Sequence, residues 1–153
     1  MGRSKHMLML VVVAVAGCGR SSTSTNTQGP KLVEPARPMI EGVWLVESAE
    51  MGGQAMPAEF VKTTTLTISG DQYVVMVGNA PDRGTVRRDD TKSPKTMDIV
   101  GFEGPNKGKT FLAIYELVGD KLRVCYDLSG ESRPTEFATK PGTKLFLATY
   151  GRK

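Results

Sequence analysis

The chain has 153 residues, with 20 Lys and Arg against 16 Asp and Glu, one His and two Cys. Its formal charge of +4 falls to +2 once Arg3 and Lys5 leave with the leader described below, and its densest basic pair, Arg87-Arg88, runs straight into Asp89-Asp90. This excludes the dense basic stripe of a nucleic-acid footprint, and loss of His6 with the same leader excludes Ser-His-Asp and Cys-His catalysis and the usual zinc sites.

The first element is the leader. Arg3 and Lys5 precede an uncharged run from Met7 to Ala16, followed by Val15-Ala16-Gly17-Cys18. A charged start, an apolar stretch and small residues before a cut site describe an export signal. Ten apolar residues are too few to span a bilayer, which takes about 20. The cysteine at the cut looks like a bacterial lipobox, in which the Cys18 thiol receives a diacylglyceryl group and becomes the mature N-terminus. We therefore expect a signal peptide over 1–17 and a lipidated Cys18 followed by a tether to residue 38. The tether reads RSSTSTNTQGPKLVEPARP, a composition that cannot bury enough surface to offset its ordering entropy. Cell-envelope localisation follows, with the membrane as a partner through the acyl (palmitate-type) anchor. Gly19 gives no retention signal of the Asp type, which favours the outer membrane over the inner. With Cys18 lipidated, Cys125 has no disulfide partner.

Residues 39–153 read as one domain of short strands. Gly42 to Ala49 is the first, and a short helix is expected over Ala58 to Lys62, after Pro57. Thr63 to Ser69 and Gln72 to Val77 form a hairpin across Gly70-Asp71, a pair suited to a type II′ turn. Gly84 to Arg88 and Thr96 to Phe102 are shorter. Thr110 to Val118 and Lys121 to Leu128 form a second hairpin across Gly119-Asp120, and Leu145 to Tyr150 closes the chain. In the strand from Lys121, Leu122, Val124, Tyr126 and Leu128 face one way, and Lys121, Arg123, Cys125 and Asp127 the other. Thr110 to Val118 and Leu145 to Tyr150 are apolar on both faces, so some strands are expected to be covered on both sides. About eight antiparallel strands with turn signals between them predict an all-β barrel or sandwich.

The motifs IEGVW at 40–44, GD at 70–71, GT at 84–85, PK at 94–95, EGPNKGKT at 103–110, IYEL at 114–117, GDKL at 119–122, Cys125 and RPTEF at 133–137 occur in this order. In that order they resemble an uncharacterised lipocalin-like domain family of planctomycete-type bacteria. The resemblance covers Ile40 to about Lys153. It implies a small eight-stranded lipocalin-like β-barrel on an exported protein, and no established activity. Gly42-Val43-Trp44 is similar to the G-x-W that opens the first lipocalin strand, where the indole plugs the closed end under a basic residue of the last strand. Arg152 is the residue placed to stack on Trp44.

Other motifs read as ordinary structure. Gly104 to Thr110 resembles a phosphate loop, but it is one residue short and a β-pattern follows where a helix is needed. Asp89, Asp90, Asp98 and Glu103 lack calcium-loop spacing and have Arg87, Arg88, Lys92 and Lys95 as sequence neighbours. Cys125 shares a face with Arg123 and Lys121, a setting that favours thiolate, yet without histidine or a second thiol it reads as a structural cysteine. Glu136 stands close enough to Arg133 to pair with it in a turn.

Two functional readings remain open, neither with a cofactor, metal or catalytic residue. One is a lipid-anchored carrier of a small apolar ligand, held by Trp44, Tyr73, Phe111, Tyr115 and Tyr126. The other is a non-enzymatic envelope module with a filled barrel, whose loop Arg133 to Lys144 meets an envelope protein partner. The two differ in one quantity, a cavity of at least ~300 Å³. An enzyme is the weakest reading, with only carboxylates such as Asp98 or Glu116 to work with.

Overall fold

The computed structural model describes residues 39–153; Cys18, the leader and the tether lie outside them. The strand sequence is β1 (Gly42–Met51), β2 (Gln54–Ala55), β3 (Thr64–Ser69), β4 (Gln72–Val77), β5 (Ala80–Asp89), β6 (Lys95–Glu103), β7 (Thr110–Val118), β8 (Lys121–Asp127) and β9 (Leu145–Arg152). One helix, α1 (Ala58–Thr63), follows Pro57. Each long strand pairs antiparallel with the next from β3 to β9, β1 pairs with β3, and β9 returns to β1. The result is a closed barrel of eight strands, with the two-residue β2 as an extra pairing on the end of β1. Closure leaves none of the eight long strands with an unpaired edge.

Alternation along the strands selects the core. Trp44, Val46, Leu66, Ile68, Tyr73, Val86, Met97, Ala113, Tyr115, Leu122, Val124, Phe146, Ala148 and Tyr150 are buried in one cluster. The hairpin over Thr64–Val77 turns at Gly70-Asp71, with Gly70 at a φ of +60°, where a side chain is strained. β5 starts earlier than Gly84 because Ala80–Arg83 continues the ladder against β4. Gly84 is required there: a Cβ would sit 2.1 Å from the Val100 carbonyl oxygen and 2.4 Å from the Tyr73 ring.

The two ends of the barrel are built differently. At the end where β1 begins and β9 finishes, Trp44 is fully buried and its Nε1–H donates to the Ile40 carbonyl at 2.8 Å. Arg152, its register partner on β9, stacks over the indole at 4.3 Å from the ring centroid. The same guanidinium donates to the Glu41 and Met39 carbonyls at 2.9 and 2.5 Å. The expected stack is present, and it also ties down the chain leading into β1. At the other end, α1 lays Phe60 edge-on against Phe146, with centroids 6.1 Å apart.

Residues 128–144 form a strap over the outside of β7 and β8. Arg133 pins it, donating to the Met97 and Ala113 carbonyls at 3.1 and 2.6 Å and to Asp98 at 2.5 Å. Thr139 donates to Glu50, and Arg123 reaches the Phe137 carbonyl and lies over its ring. Ile114 and Cys125, register partners on the outer face, are buried beneath it. This accounts for the strand apolar on both faces. Glu136 pairs with Lys140, not with Arg133, because Arg133 turns inward to the sheet.

Candidate functional site in the barrel interior

Inside the wall, Tyr73 of β4, Phe111 of β7 and Tyr126 of β8 border one small cavity together with Val75, Asp82, Asn106 and Tyr150. Its volume is about 60 Å³. The aromatic side chains fill most of the remaining space. Phe111 and Tyr126 pack at 5.7 Å between centroids, and Tyr126 and Phe146 at 5.2 Å. Trp44 and Tyr115 belong to the same core but do not border the cavity. Trp44 closes the barrel end, and Tyr115 sends its hydroxyl to Asp90 beyond the β5–β6 turn.

The polar edge of the cavity is Asp82, a buried carboxylate that no sequence motif singles out. It accepts from the Tyr73 hydroxyl at 3.2 Å, the Asn106 backbone N–H at 3.2 Å and the Asn106 amide at 2.8 Å. Asn106 sits in the β6–β7 loop, so these bonds fold that loop over the barrel mouth as a lid. Gly101 makes room for it, since a Cβ there would lie 2.1 Å from the Asn106 carbonyl oxygen. The loop's own N–H groups are spent internally: Gly108 on the Gly101 carbonyl, Lys107 on Gly104 and Lys109 on Asn106. Strand β7 follows directly. The segment that resembles a phosphate loop is therefore a glycine-shaped lid, with the amides of residues 106–109 engaged and no helix N-terminus.

All four tyrosines are held protonated. Burial pushes Tyr73, Tyr115, Tyr126 and Tyr150 above the ordinary value of 10.0; Asp82 adds to this at Tyr73, and Asp90 at Tyr115. A raised folded-state value stabilises the fold below the unfolded pKa, and that stability is lost as pH rises through the folded value. The expected result is a barrel that resists base until well above about pH 10 and then unfolds. Tyrosinate absorbance and the change in Trp44 emission should appear together. Gradual tyrosine ionisation in a still-folded protein would contradict this.

Elsewhere the acidic residues have separate partners. Asp98 pairs with Arg133, Glu103 with Arg83 at 2.5 Å, and Asp89 accepts from Thr91. Cys125 is fully buried, and burial pushes its thiol up despite the opposing pull of Arg123. It is a packing residue.

The class of protein defined by this geometry is a closed, eight-stranded antiparallel barrel, plugged at one end by a tryptophan–arginine stack and lidded at the other. Comparison with known protein families, curated proteins and solved structures finds no match to this chain.

Proposed function

We propose that this chain is a lipid-anchored envelope protein of lipocalin-like type whose barrel is a filled scaffold, acting non-enzymatically through its outer surface. The observation that supports it is the interior volume. A small-molecule pocket occupies about 300 Å³ or more, whereas the space here is about 60 Å³. The anchor is Cys18, and the outer membrane is the favoured site. Outside the barrel, the exposed side chains of Val100 and Phe102 continue along β6 from Asp98, where Arg133 pins the strap. An apolar strip beside a fixed loop suits a protein partner.

The carrier reading has one observation in its favour. The lid is held by Asn106 on Asp82 alone among side-chain bonds of the described loop residues, so its release would lengthen the cavity toward the mouth.

Mass spectrometry of the protein released from its own envelope in mild detergent tests both halves of the proposal. The expected spectrum shows a covalent lipid increment on Cys18 that survives denaturation, and no further mass that denaturation removes. A Cys18→Ser protein should lack the increment and appear in the soluble fraction or as unprocessed precursor. A discrete mass lost on denaturation would establish the carrier instead; unchanged membrane retention and size for the variant would remove the anchor.

A further inference from the structure

A broad recess of the described domain lies outside the barrel. It is a half-open cleft of about 890 Å³ between the outer faces of β5 and β6, the Lys92-Ser93-Pro94 turn and the start of the strap at Arg133-Pro134-Thr135. Ile114, buried under the strap, contributes to its floor. Its charged groups divide into two sets. The acceptors are already engaged: Asp98 receives the Arg133 guanidinium at 2.5 Å, and Asp89 accepts from the Thr91 N–H at 3.0 Å and its hydroxyl at 2.5 Å. The donors are less so. Among the described residues Arg87 and Lys92 form no ion pair, whereas Arg88, across from the core residue Met97, turns to the Tyr115 hydroxyl.

A recess whose carboxylates are satisfied, and in which Arg87 and Lys92 have no carboxylate partner among the described residues, favours a ligand rich in acceptors and carrying negative charge. Guanidinium pairs with phosphate in a planar, two-bond geometry, and an ammonium group beside it supplies a point charge. The hydroxyls of Thr96 and Thr135 line the same recess and complete a mixed donor set. We infer that this cleft binds a phosphate group, with Arg87 and Lys92 as its cationic contacts and the strap as its fixed wall. The inference rests on the reading of the barrel as a filled scaffold that works through its outside. A free phosphate and a phospholipid headgroup present the same chemistry here.

The test is an NMR titration of the isotope-labelled, processed lipoprotein, following the Thr96 and Thr135 amides. It is done in phosphatidylcholine nanodiscs with added inorganic phosphate, and in nanodiscs containing phosphatidylglycerol with none added. Saturable movement with inorganic phosphate identifies a soluble ligand; movement with phosphatidylglycerol alone identifies the headgroup. The double variant Arg87→Gln/Lys92→Gln should weaken either response by about tenfold or more. The charge-matched pair Lys107→Gln/Lys109→Gln, in the lid, should not. Silence in both nanodiscs, or equal weakening by the two pairs, overturns the cleft site. Silence with an empty barrel leaves the filled-scaffold reading standing, whereas a responsive cleft with a mass inside the barrel overturns that reading and keeps the cleft.

Discussion

Trp44→Ala is expected to cost about 3–5 kcal/mol, a large share of the ~5–15 kcal/mol that holds a domain of this size together. Trp44 is fully buried, and its removal would leave a hole at the closed end that the strands around it cannot shrink to fill. It would also strand the Ile40 carbonyl and release the stacked face of Arg152. Trp44→Phe should be milder, since a six-membered ring stays, although the 2.8 Å bond to Ile40, about 1 kcal/mol, goes together with the buried five-membered ring. Urea denaturation of the two variants separates plug from bond: both midpoints should fall with an unchanged slope. A double-mutant cycle with Arg152→Ala should give a coupling of about 1 kcal/mol. A Trp44→Ala midpoint near that of the parent would mean that the closed end is not a keystone of the fold.

Arg133→Ala is expected to loosen the strap without opening the barrel. It removes three charge-assisted bonds at once and leaves Asp98 and two strand carbonyls without their donor. Each bond to a charged group contributes about 1.5–3 kcal/mol, although shared partners make the sum less than additive. Cys125 reports the effect, because it is fully buried under the strap. The only other cysteine is Cys18, and the comparison is made in a Cys18→Ser background. In the parent, a thiol reagent should react only through rare local opening; Arg133→Ala should raise that rate by about tenfold or more. Trp44 emission should stay native in both. Equal labelling rates would mean that the strap is held by its other contacts, and simultaneous loss of native emission would mean that it belongs to the global folding unit.

The strands were legible because their periodicity is local. β4 and β7 have the ends that the alternation and the Gly-Asp turns predict, and α1 extends the expected helix by one residue. The Trp44–Arg152 stack was readable from a spacing motif at one end of the domain and a single cation at the other. The interior was less legible. Tyr73, Phe111 and Tyr126 meet around one cavity, but whether aromatic rings enclose space or fill it depends on rotamers and barrel shear, which leave no trace in the order of residues. Asp82 lies ahead of the strand expected from Gly84, and Pro81-Asp82-Arg83 carries no apolar pattern of its own. Its burial makes sense only once Asn106, 24 positions away, folds down to meet it. The strap reads as a solvent loop for the same reason: the groups that seat Arg133 are two backbone carbonyls, and every residue has one.

The seam of the barrel joins its first long strand to its last. Until β9 is in place, β1 offers an open row of amide and carbonyl groups along the side that β9 later covers, and Trp44 has no cation to cap it. The contacts that finish the fold are thus among the most distant in sequence, which makes them late to form. A chain made from its N-terminus therefore keeps its barrel open until its last strand is available, and closure waits for Arg152.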